Sequence, residues 1–281
     1  MKRINFFLFC TVFYMCCQPA YAFKITGTYI KVEDNLDGPP SVCEVIVSKK
    51  GAMCSGTLID QQYIATAAHC VVKHLYNFVA TKEAPEERKM DEMKVYCGYH
   101  YNNAKEFYEE FNVTKVKYPK EVLACFSSYD APEYDIAILK LDKRSQIKPM
   151  NVIGSWNEFV RIFRKNLFKR ADYGDVWDNG TEVISNGKLN CRVSGYGDDN
   201  SGVSGALLTA EMRSPYTASD ERLLLNPPAE IAEGDSGGPL YCQKPGNNAW
   251  NLIGVLHKAD SYSFAGSKIF QTLLKQIQDE K

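Results

Sequence analysis

Among the residues whose types and spacing could do chemistry, the most informative is a serine surrounded by glycines. Ser236 lies in the segment GDSGGPL, residues 234–240. Glycines permit backbone angles and close approaches that a side chain would prevent, so this hydroxyl can be presented at a sharp turn. A serine hydroxyl is a weak nucleophile at neutral pH and needs a histidine base, which in turn needs an acid to orient it. We therefore interpret Ser236 as a candidate nucleophile.

The candidate base is His69. It follows two short β-rich runs, CSGTLI (54–59) and YIATAA (63–68), which are separated by a polar turn. This pattern is typical of a strand end that opens onto a cleft. Cys54 and Cys70 frame the unit. In an oxidising compartment a bond between them would tie the histidine loop to the preceding strand.

The candidate orienting acid is Asp135, at the start of the segment DIAILKL, residues 135–141. The residues after it indicate a largely buried strand, so its carboxylate needs a donor such as an imidazole N–H. Each signal alone has a simpler explanation, namely a tight turn, a structural histidine or a capping aspartate. Their joint occurrence in one chain favours catalysis.

These three segments, in the order His, Asp, Ser, resemble those of the chymotrypsin and trypsin family of serine endopeptidases. Other folds that build the same constellation place the three residues in a different order. The resemblance implies that His69 is the general base, that Asp135 orients it and that Ser236 attacks the scissile carbonyl. It also implies an oxyanion hole made by the backbone N–H groups of Gly234 and Ser236.

The fold class predicted from the sequence is all-β, because many short β-branched and aromatic runs are separated by turn residues. The resemblance implies two six-stranded antiparallel barrels packed face to face, the first over 25–145 and the second over 146–281. Helical spacing predicts a C-terminal helix through Phe270, Leu273, Leu274 and Ile277. Relative to the family, residues 151–190 are an insertion. Its apolar spacing predicts a helix near 156–170, whose basic residues could face an anionic surface, a partner or solvent.

The N-terminus has the features of a secretory signal peptide over residues 1–22. Two basic residues precede an apolar run, and Ala20-Tyr21-Ala22 offers a small-residue cleavage site. No later stretch is apolar enough to cross a bilayer, so we expect a secreted or periplasmic protein without stable membrane insertion. A formal net charge of −1 gives no support to nucleic-acid binding.

Removal of the signal peptide would leave an odd set of cysteines. The resemblance implies the pairs Cys54–Cys70 and Cys191–Cys242. Cys43, Cys97 and Cys125 have no assignment from the sequence. At most two of these three can pair with each other.

An activation junction is predicted between Lys24 and Ile25, after a pro-segment of residues 23–24. Members of the family are made as zymogens, and cleavage after a basic residue frees an apolar N-terminus. The new ammonium of Ile25 could pair with Asp235 inside the protein. A buried pair is strongly destabilised when one member is missing, so the serine loop would order only after cleavage. Alternatively, Lys24 is a solvated residue in a frayed tail.

Substrate preference follows less directly from the sequence. In the register of the family, Glu230 would form the floor of the specificity pocket, followed by Ile231. The wall would include His257, Lys258 and Ala259, where relatives usually have Ser-Trp-Gly. Glu230 favours cleavage after Lys or Arg. However, Lys258 could neutralise Glu230, and the two basic wall residues could instead prefer an acidic side chain.

The function predicted is therefore a serine endopeptidase that acts on protein or peptide substrates, with an activating protease as a further partner. A binding protein that keeps the fold without catalysis is the alternative, motivated by the unusual pocket wall. The four histidines form no clustered ligand motif, so we expect neither a metal nor a cofactor.

Overall fold

The computed structural model of the protein is built mainly of short strands, with two α-helices and three 3-10 helices whose bounds lie within the residues described. The structure describes residues 39–49, 51–73, 75, 84–98, 109–124, 132–155, 157–158, 191–197, 207–212, 215–217, 222–225, 232–244, 248–258 and 261–280. The all-β prediction is confirmed.

The strands of the first half are β1 (Val42–Ile46), β2 (Met53–Asp60), β3 (Tyr63–Thr66), β4 (Val72–Lys73), β5 (Glu86–Glu87), β6 (Lys94–Cys97), β7 (Glu109–Lys117) and β8 (Ala137–Leu141). Six of them close into a barrel, in the order β1-β2-β3-β8-β7-β6. All neighbours in this barrel are antiparallel. A separate two-stranded ribbon, β4 and β5, lies in the same half. The 3-10 helices cover Met90–Glu92, Lys120–Ala124 and Pro132–Tyr134.

The described strands of the second half form one sheet of eight. They are β9 (Asn151–Val152), β10 (Cys191–Gly195), β11 (Leu208–Met212), β12 (Pro215–Thr217), β13 (Arg222–Leu225), β14 (Pro239–Gln243), β15 (Trp250–Lys258) and β16 (Ser261–Phe264). Seven follow the order β11-β10-β14-β15-β16-β13-β12, and β9 pairs in parallel with β15. Because β8 ends the first barrel and β9 joins the second sheet, the chain crosses between the halves there. The domain boundary at residues 145 and 146 stays a prediction.

Strand β8 contributes side chains to both hydrophobic cores, because both of its faces are buried. Successive side chains of a strand point to opposite faces. Ala137, Leu139 and Leu141 pack into the core of the first barrel. Ile136 and Ile138 pack instead with the core of the second sheet. The near-continuous apolar run after Asp135 is therefore explained by burial on two sides.

The chain ends in helix α2 (Lys268–Asp279), as its apolar spacing predicted. Ser267 caps it by accepting a hydrogen bond from the Phe270 N–H at 3.0 Å. Phe270, Leu273 and Ile277 are buried against the second core. The other helix, α1 (Ala68–Val71), is a single turn that directly follows β3.

Three disulfides cross-link the described residues. Cys54–Cys70 and Cys191–Cys242 are the two pairs that the family resemblance implied. The third joins Cys43 to Cys97, which sequence reasoning left unassigned. These last residues face each other in the register of β1 and β6, and Cys191 and Cys242 do so in β10 and β14. Cys125 lies outside the described residues.

The predicted signal peptide and most of the predicted insertion also lie outside the described residues. Of the helix predicted near 156–170, only Asn157 and Glu158 are described, and both are helical. Within the described ranges, no helix combines the length and hydrophobicity that a membrane crossing needs.

Candidate active site

Strand pairing in the first barrel brings the histidine and the aspartate together. Thr66 at the end of β3 pairs with Ala137 at the start of β8, so the residues beyond each strand end are neighbours. The His69 backbone N–H donates to Asp135 Oδ1 at 2.9 Å, and the ring Nδ1 lies 2.8 Å from Asp135 Oδ2. A carboxylate only accepts hydrogen bonds, so Nδ1 is the protonated nitrogen and Nε2 carries the lone pair of a base.

The carboxylate of Asp135 is fully buried, whereas the His69 side chain is 22% exposed. An unpaired carboxylate in such a position would be strongly destabilising, so its bonds to His69 fix the orientation of both groups. The exposed edge of the imidazole is the part of this pair that solvent or a substrate can reach. The arrangement suits proton transfer by His69 with Asp135 as its support.

A second imidazole faces the same carboxylate from the second half of the molecule. His257 lies in β15 with 4% of its surface exposed, and its Nδ1 is 4.0 Å from Asp135 Oδ2. In the neighbouring strand β16, the Ser263 hydroxyl donates to the backbone carbonyl of Asp135 at 3.4 Å. Strands β15 and β16 therefore cover the acid. The sequence placed His257 in a pocket wall but gave no sign that its ring borders Asp135.

The loop that carries Ser236 requires glycine at two positions with left-handed backbone angles. Gly234 has φ of +98° and Gly237 has φ of +84°. A Cβ at Gly237 would lie 2.2 Å from both the Ser55 carbonyl oxygen and Thr66 Oγ1, so no larger residue fits. The Gly237 N–H donates to the Leu256 carbonyl at 2.7 Å, which ties the turn to β15. The glycine-rich motif thus forms the sharp turn that its composition predicted.

Ser236 lies against the segment that flanks His69. Its carbonyl oxygen accepts a hydrogen bond from the Ser55 N–H at 2.7 Å, and the Cys70 Sγ is 3.7 Å from the same oxygen. Cys70 directly follows His69 and is bonded to Cys54. The disulfide therefore lies where the serine loop of the second half meets the histidine segment of the first.

Asp235 is buried beneath the serine loop, with 2% of its surface exposed. Its Oδ1 accepts from the Gly197 N–H and its Oδ2 from the Ala232 N–H, both at 2.9 Å. Hydrogen bonds from backbone N–H groups stabilise a carboxylate inside a protein. Asp235 thereby links the serine loop to the end of β10.

Comparison with known proteins agrees with this geometry. The sequence matches the family model described as Trypsin over residues 35–267. The chain belongs to the trypsin family. Membership of this family makes the protein a serine endopeptidase, which is a hydrolase.

Two of the similar relatives are named as serine proteases, and a third is named as a thrombin-like enzyme. A venom serine protease of Polistes dominula is 24% identical over 231 residues, which cover 80% of this chain and 74% of that protein. Serine protease SSP1 of Scolopendra subspinipes is 26% identical and matches 73% of this chain, but only 62% of its own length. The thrombin-like enzyme agkihpin-1 of Gloydius halys is 26% identical, with 81% and 85% covered. The disulfides of this trypsin-family protease also fit an extracellular location.

Several residues that sequence reasoning assigned to the protease site are not described. Lys24 and Ile25 of the predicted activation junction lie outside the described residues, as do the predicted pocket residues Glu230, Ile231 and Ala259. Lys258 is described only as a backbone position at the end of β15. The activation junction and the specificity pocket therefore stay predictions.

Within the described residues, one cluster of potential metal ligands is present in this trypsin-family chain, and it consists of Cys54, His69 and Cys70. The two sulfur atoms are bonded to each other, so neither is the thiolate that a metal needs. The position of His69 beside this disulfide explains the cluster.

Sequence reasoning missed one buried polar residue that touches the serine loop. Ser55 is separated from Gly234 by 179 positions, yet its hydroxyl donates to the Gly234 carbonyl at 2.8 Å. The only signal in the sequence was a serine inside the run Cys54–Ile59, which otherwise suits a buried strand. That signal indicates a buried hydroxyl in need of partners but does not identify them.

Proposed function

We propose that this protease hydrolyses peptide bonds by acyl transfer through Ser236, with His69 as base and Asp135 as the group that orients the base. The observation that carries this proposal is the pair of bonds from His69 to the buried carboxylate of Asp135. They hold the imidazole in the tautomer with its proton on Nδ1, so that Nε2 is the nitrogen that acts as the base. A protein that only binds a ligand would not need a buried acid to select this tautomer of the His69 ring.

In the proposed reaction, the Ser236 Oγ bonds to the scissile carbonyl carbon while its proton passes to His69 Nε2. The oxygen that gains negative charge is stabilised by the N–H groups of Gly234 and Ser236. The C–N bond then breaks, and the leaving amine takes the proton from His69. His69 then takes a proton from water, whose oxygen attacks the resulting ester. The ester bond to Ser236 Oγ breaks, His69 returns the proton to that oxygen, and the acid is released.

Labelling with a fluorophosphonate probe tests the assignment of the nucleophile. The processed wild type should be labelled, and peptide mass spectrometry should locate the label on Ser236. Ser236→Ala should abolish labelling and lower kcat by a factor on the order of 10⁶. Ser48→Ala, in the turn between β1 and β2, is the matched control and should label normally. Labelling of another residue, or none in the processed wild type, would exclude this mechanism.

Synthesis as a zymogen is the second part of the proposal. The buried carboxylate of Asp235 supports it, because a free ammonium at Ile25 would be a suitable ion partner there. Lys24→Gln should prevent activation by a protease that cleaves after lysine, whereas Lys49→Gln, on the exposed turn after β1, should not. N-terminal sequencing of the activated protein should begin at Ile25. Full activity of Lys24→Gln after the same treatment would exclude this junction.

Secretion and a preference for Lys or Arg complete the proposal. Residues 1–22 support secretion, and N-terminal analysis of the exported chain tests it. Glu230 in the register of the pocket floor supports the preference for basic residues. A peptide library should therefore show cleavage after Lys and Arg, and Glu230→Ala should reduce it. Preference for an apolar or acidic residue would overturn this part while leaving the catalytic assignment intact.

A further inference from the structure

Ser55 holds the serine loop from the opposite half of the molecule. It lies in β2 between Cys54 and Gly56 and is fully buried. Its backbone N–H donates to the Ser236 carbonyl at 2.7 Å, and its Oγ donates to the Gly234 carbonyl at 2.8 Å. One residue of the first barrel therefore binds the carbonyl groups on both sides of Asp235.

The direction of the Ser55 hydroxyl is determined by a third hydrogen bond. Its Oγ accepts from the Tyr196 N–H at 2.9 Å. The Tyr196 ring is anchored in turn, since its hydroxyl donates to the Gly98 carbonyl at 2.9 Å. Because the Tyr196 N–H occupies a lone pair, the hydroxyl proton is left to point at Gly234. A buried hydroxyl with both roles satisfied has a single favourable orientation.

Gly234 is a residue of this loop that needs an external restraint. It has no side chain to limit rotation, and its backbone has φ of +98°. A rotation of the peptide that follows Gly234 would break the bond to Ser55 Oγ. The Ser55 hydroxyl thus supplies a restraint that the glycine itself lacks.

We propose that Ser55 is a positioning residue for the oxyanion hole. This inference rests on the proposed function, in which Gly234 and Ser236 provide the N–H groups of the hole. Ser55 touches neither substrate nor reacting atoms. It acts by keeping these two residues in the geometry that receives the charged oxygen. Stabilisation of that oxygen occurs only in the transition state, so the effect belongs to kcat rather than to KM.

The test compares Ser55→Ala with Thr57→Ala, each in the processed protein. Thr57 is the matched control because it lies on the same strand, is equally buried, and its Oγ1 has no hydrogen-bond partner in the part of the chain that the structure describes. Loss of a direct oxyanion donor lowers kcat by about 10² to 10³, so loss of its support should lower kcat by about tenfold to a hundredfold. KM should stay within about twofold, and affinity for a peptide aldehyde should fall in parallel with kcat/KM. Thr57→Ala should leave all three unchanged.

A second pair of variants keeps the test decisive if Ser55→Ala does not fold. Ser55→Thr and Ser55→Val have nearly equal shape. Both add a methyl group at Cβ, and valine has a second methyl where threonine has the hydroxyl, so the ratio of their kcat values isolates the hydroxyl. The threonine variant should exceed the valine variant in kcat by about tenfold or more at equal active-site concentration.

A purely structural role for Ser55 would give different results. The inference would be overturned if Ser55→Ala equalled Thr57→Ala in kcat and Ser55→Thr equalled Ser55→Val. It would also be overturned if the Ser55 variants lost only melting temperature or the fraction of titratable active sites. Failure of the proposed function looks different again, because wild type itself would then lack probe labelling at Ser236. The two failures are therefore separable in one set of experiments.

Discussion

The two halves of the molecule position their contributions to the site in different ways. In the first barrel, His69 and Asp135 are neighbours because β3 and β8 are paired, so a regular ladder sets their distance. Ser236 in the second half precedes the ladder of β14 and β15, which begins at Pro239. The geometry of its loop depends on glycine angles, on the buried carboxylate of Asp235 and on Ser55 from the opposite half. We infer that His69 and Asp135 are the robust part of the candidate site and that the serine loop is the sensitive part.

The largest expected effect comes from placing a side chain in the serine loop. Gly237→Ala would put a Cβ 2.2 Å from backbone and side-chain oxygens, so the loop must move. We expect a loss of more than about 4 kcal/mol in the free energy of unfolding, together with loss of probe labelling. Thermal unfolding and labelling rates measure these two effects.

The control for this variant is Gly51→Ala in the first half. Gly51 has φ of +81°, similar to Gly237, but nothing lies within 4 Å of the point that an alanine Cβ would occupy there. Only the left-handed backbone penalty of about 1 to 2 kcal/mol should appear, with labelling intact. Similar losses in the two variants would show that backbone angle, and not the packing around the serine loop, limits this position.

The next effect concerns the two disulfides that join directly opposed strand residues, one in each half. Their sequence separations are 54 for Cys43–Cys97 and 51 for Cys191–Cys242. Loop entropy predicts that replacing either pair by alanines lowers the free energy of unfolding by about 4 kcal/mol. Chemical denaturation measures this loss.

Activity should separate these two variants. The Cys191 strand leads to Gly197, which binds Asp235, so we expect kcat to fall further without Cys191–Cys242 than without Cys43–Cys97. Equal kcat values in the two disulfide variants would contradict the greater sensitivity of the serine loop.

A smaller effect on activity is expected when an aspartate is replaced by asparagine. The two positions compared are Asp235 beneath the serine loop and Asp142 on the barrel surface. Asp235→Asn replaces an oxygen that accepts a backbone N–H by an amide that cannot, and we expect kcat/KM to fall about a hundredfold. Asp142→Asn alters a surface bond to Asn112 in the first half and should leave kcat/KM within about twofold. Steady-state kinetics on the processed proteins provides the comparison, and a large loss in the Asp142 variant would reverse our ranking of the two halves.

The smallest expected effect is on stability, and it comes from a pH-dependent contact between the halves. Lys115 and Lys117 on β7 each pair with Glu280 after α2, and their hydrogen bonds lower the pKa of Glu280 from 4.5 to about 2. A carboxyl group with a lowered pKa in the folded state stabilises it fully above pH 4.5, and this contribution is lost as the pH falls towards about 2. Because the Glu280 side chain is exposed and both lysines are partly exposed, the effect should be small.

Melting temperatures of wild type and Glu280→Gln measure this contact. Wild type should melt slightly higher at neutral pH, and the difference should vanish as the pH approaches about 2. High salt should reduce the difference at neutral pH, since screening weakens exposed pairs. A difference that persists at the lowest pH would assign the effect to packing. Glu86→Gln, on exposed strand β5, is a control in the first half.

Local patterns in the sequence predicted much of this structure. The apolar run after Asp135 predicted a buried strand, and the spacing from Phe270 predicted the final helix. Contacts between distant segments could not be predicted from local patterns. The Cys43–Cys97 bond, the pairing of β9 with β15 and the bonds from Ser55 depend on how strands are ordered in space. A buried serine reveals that it needs partners, whereas only the fold determines which ones.

The hydrogen bond from the Ser55 amide to the Ser236 carbonyl also makes one position a reporter of separation between the halves. An amide exchanges its proton with heavy water only when its hydrogen bond opens. Ser55 lies within a barrel strand, yet this amide should exchange at the rate at which the serine loop detaches, not at the rate at which the barrel unfolds. Measuring hydrogen exchange at the Ser55 amide alone would thus give the rate at which the serine loop separates from the barrel.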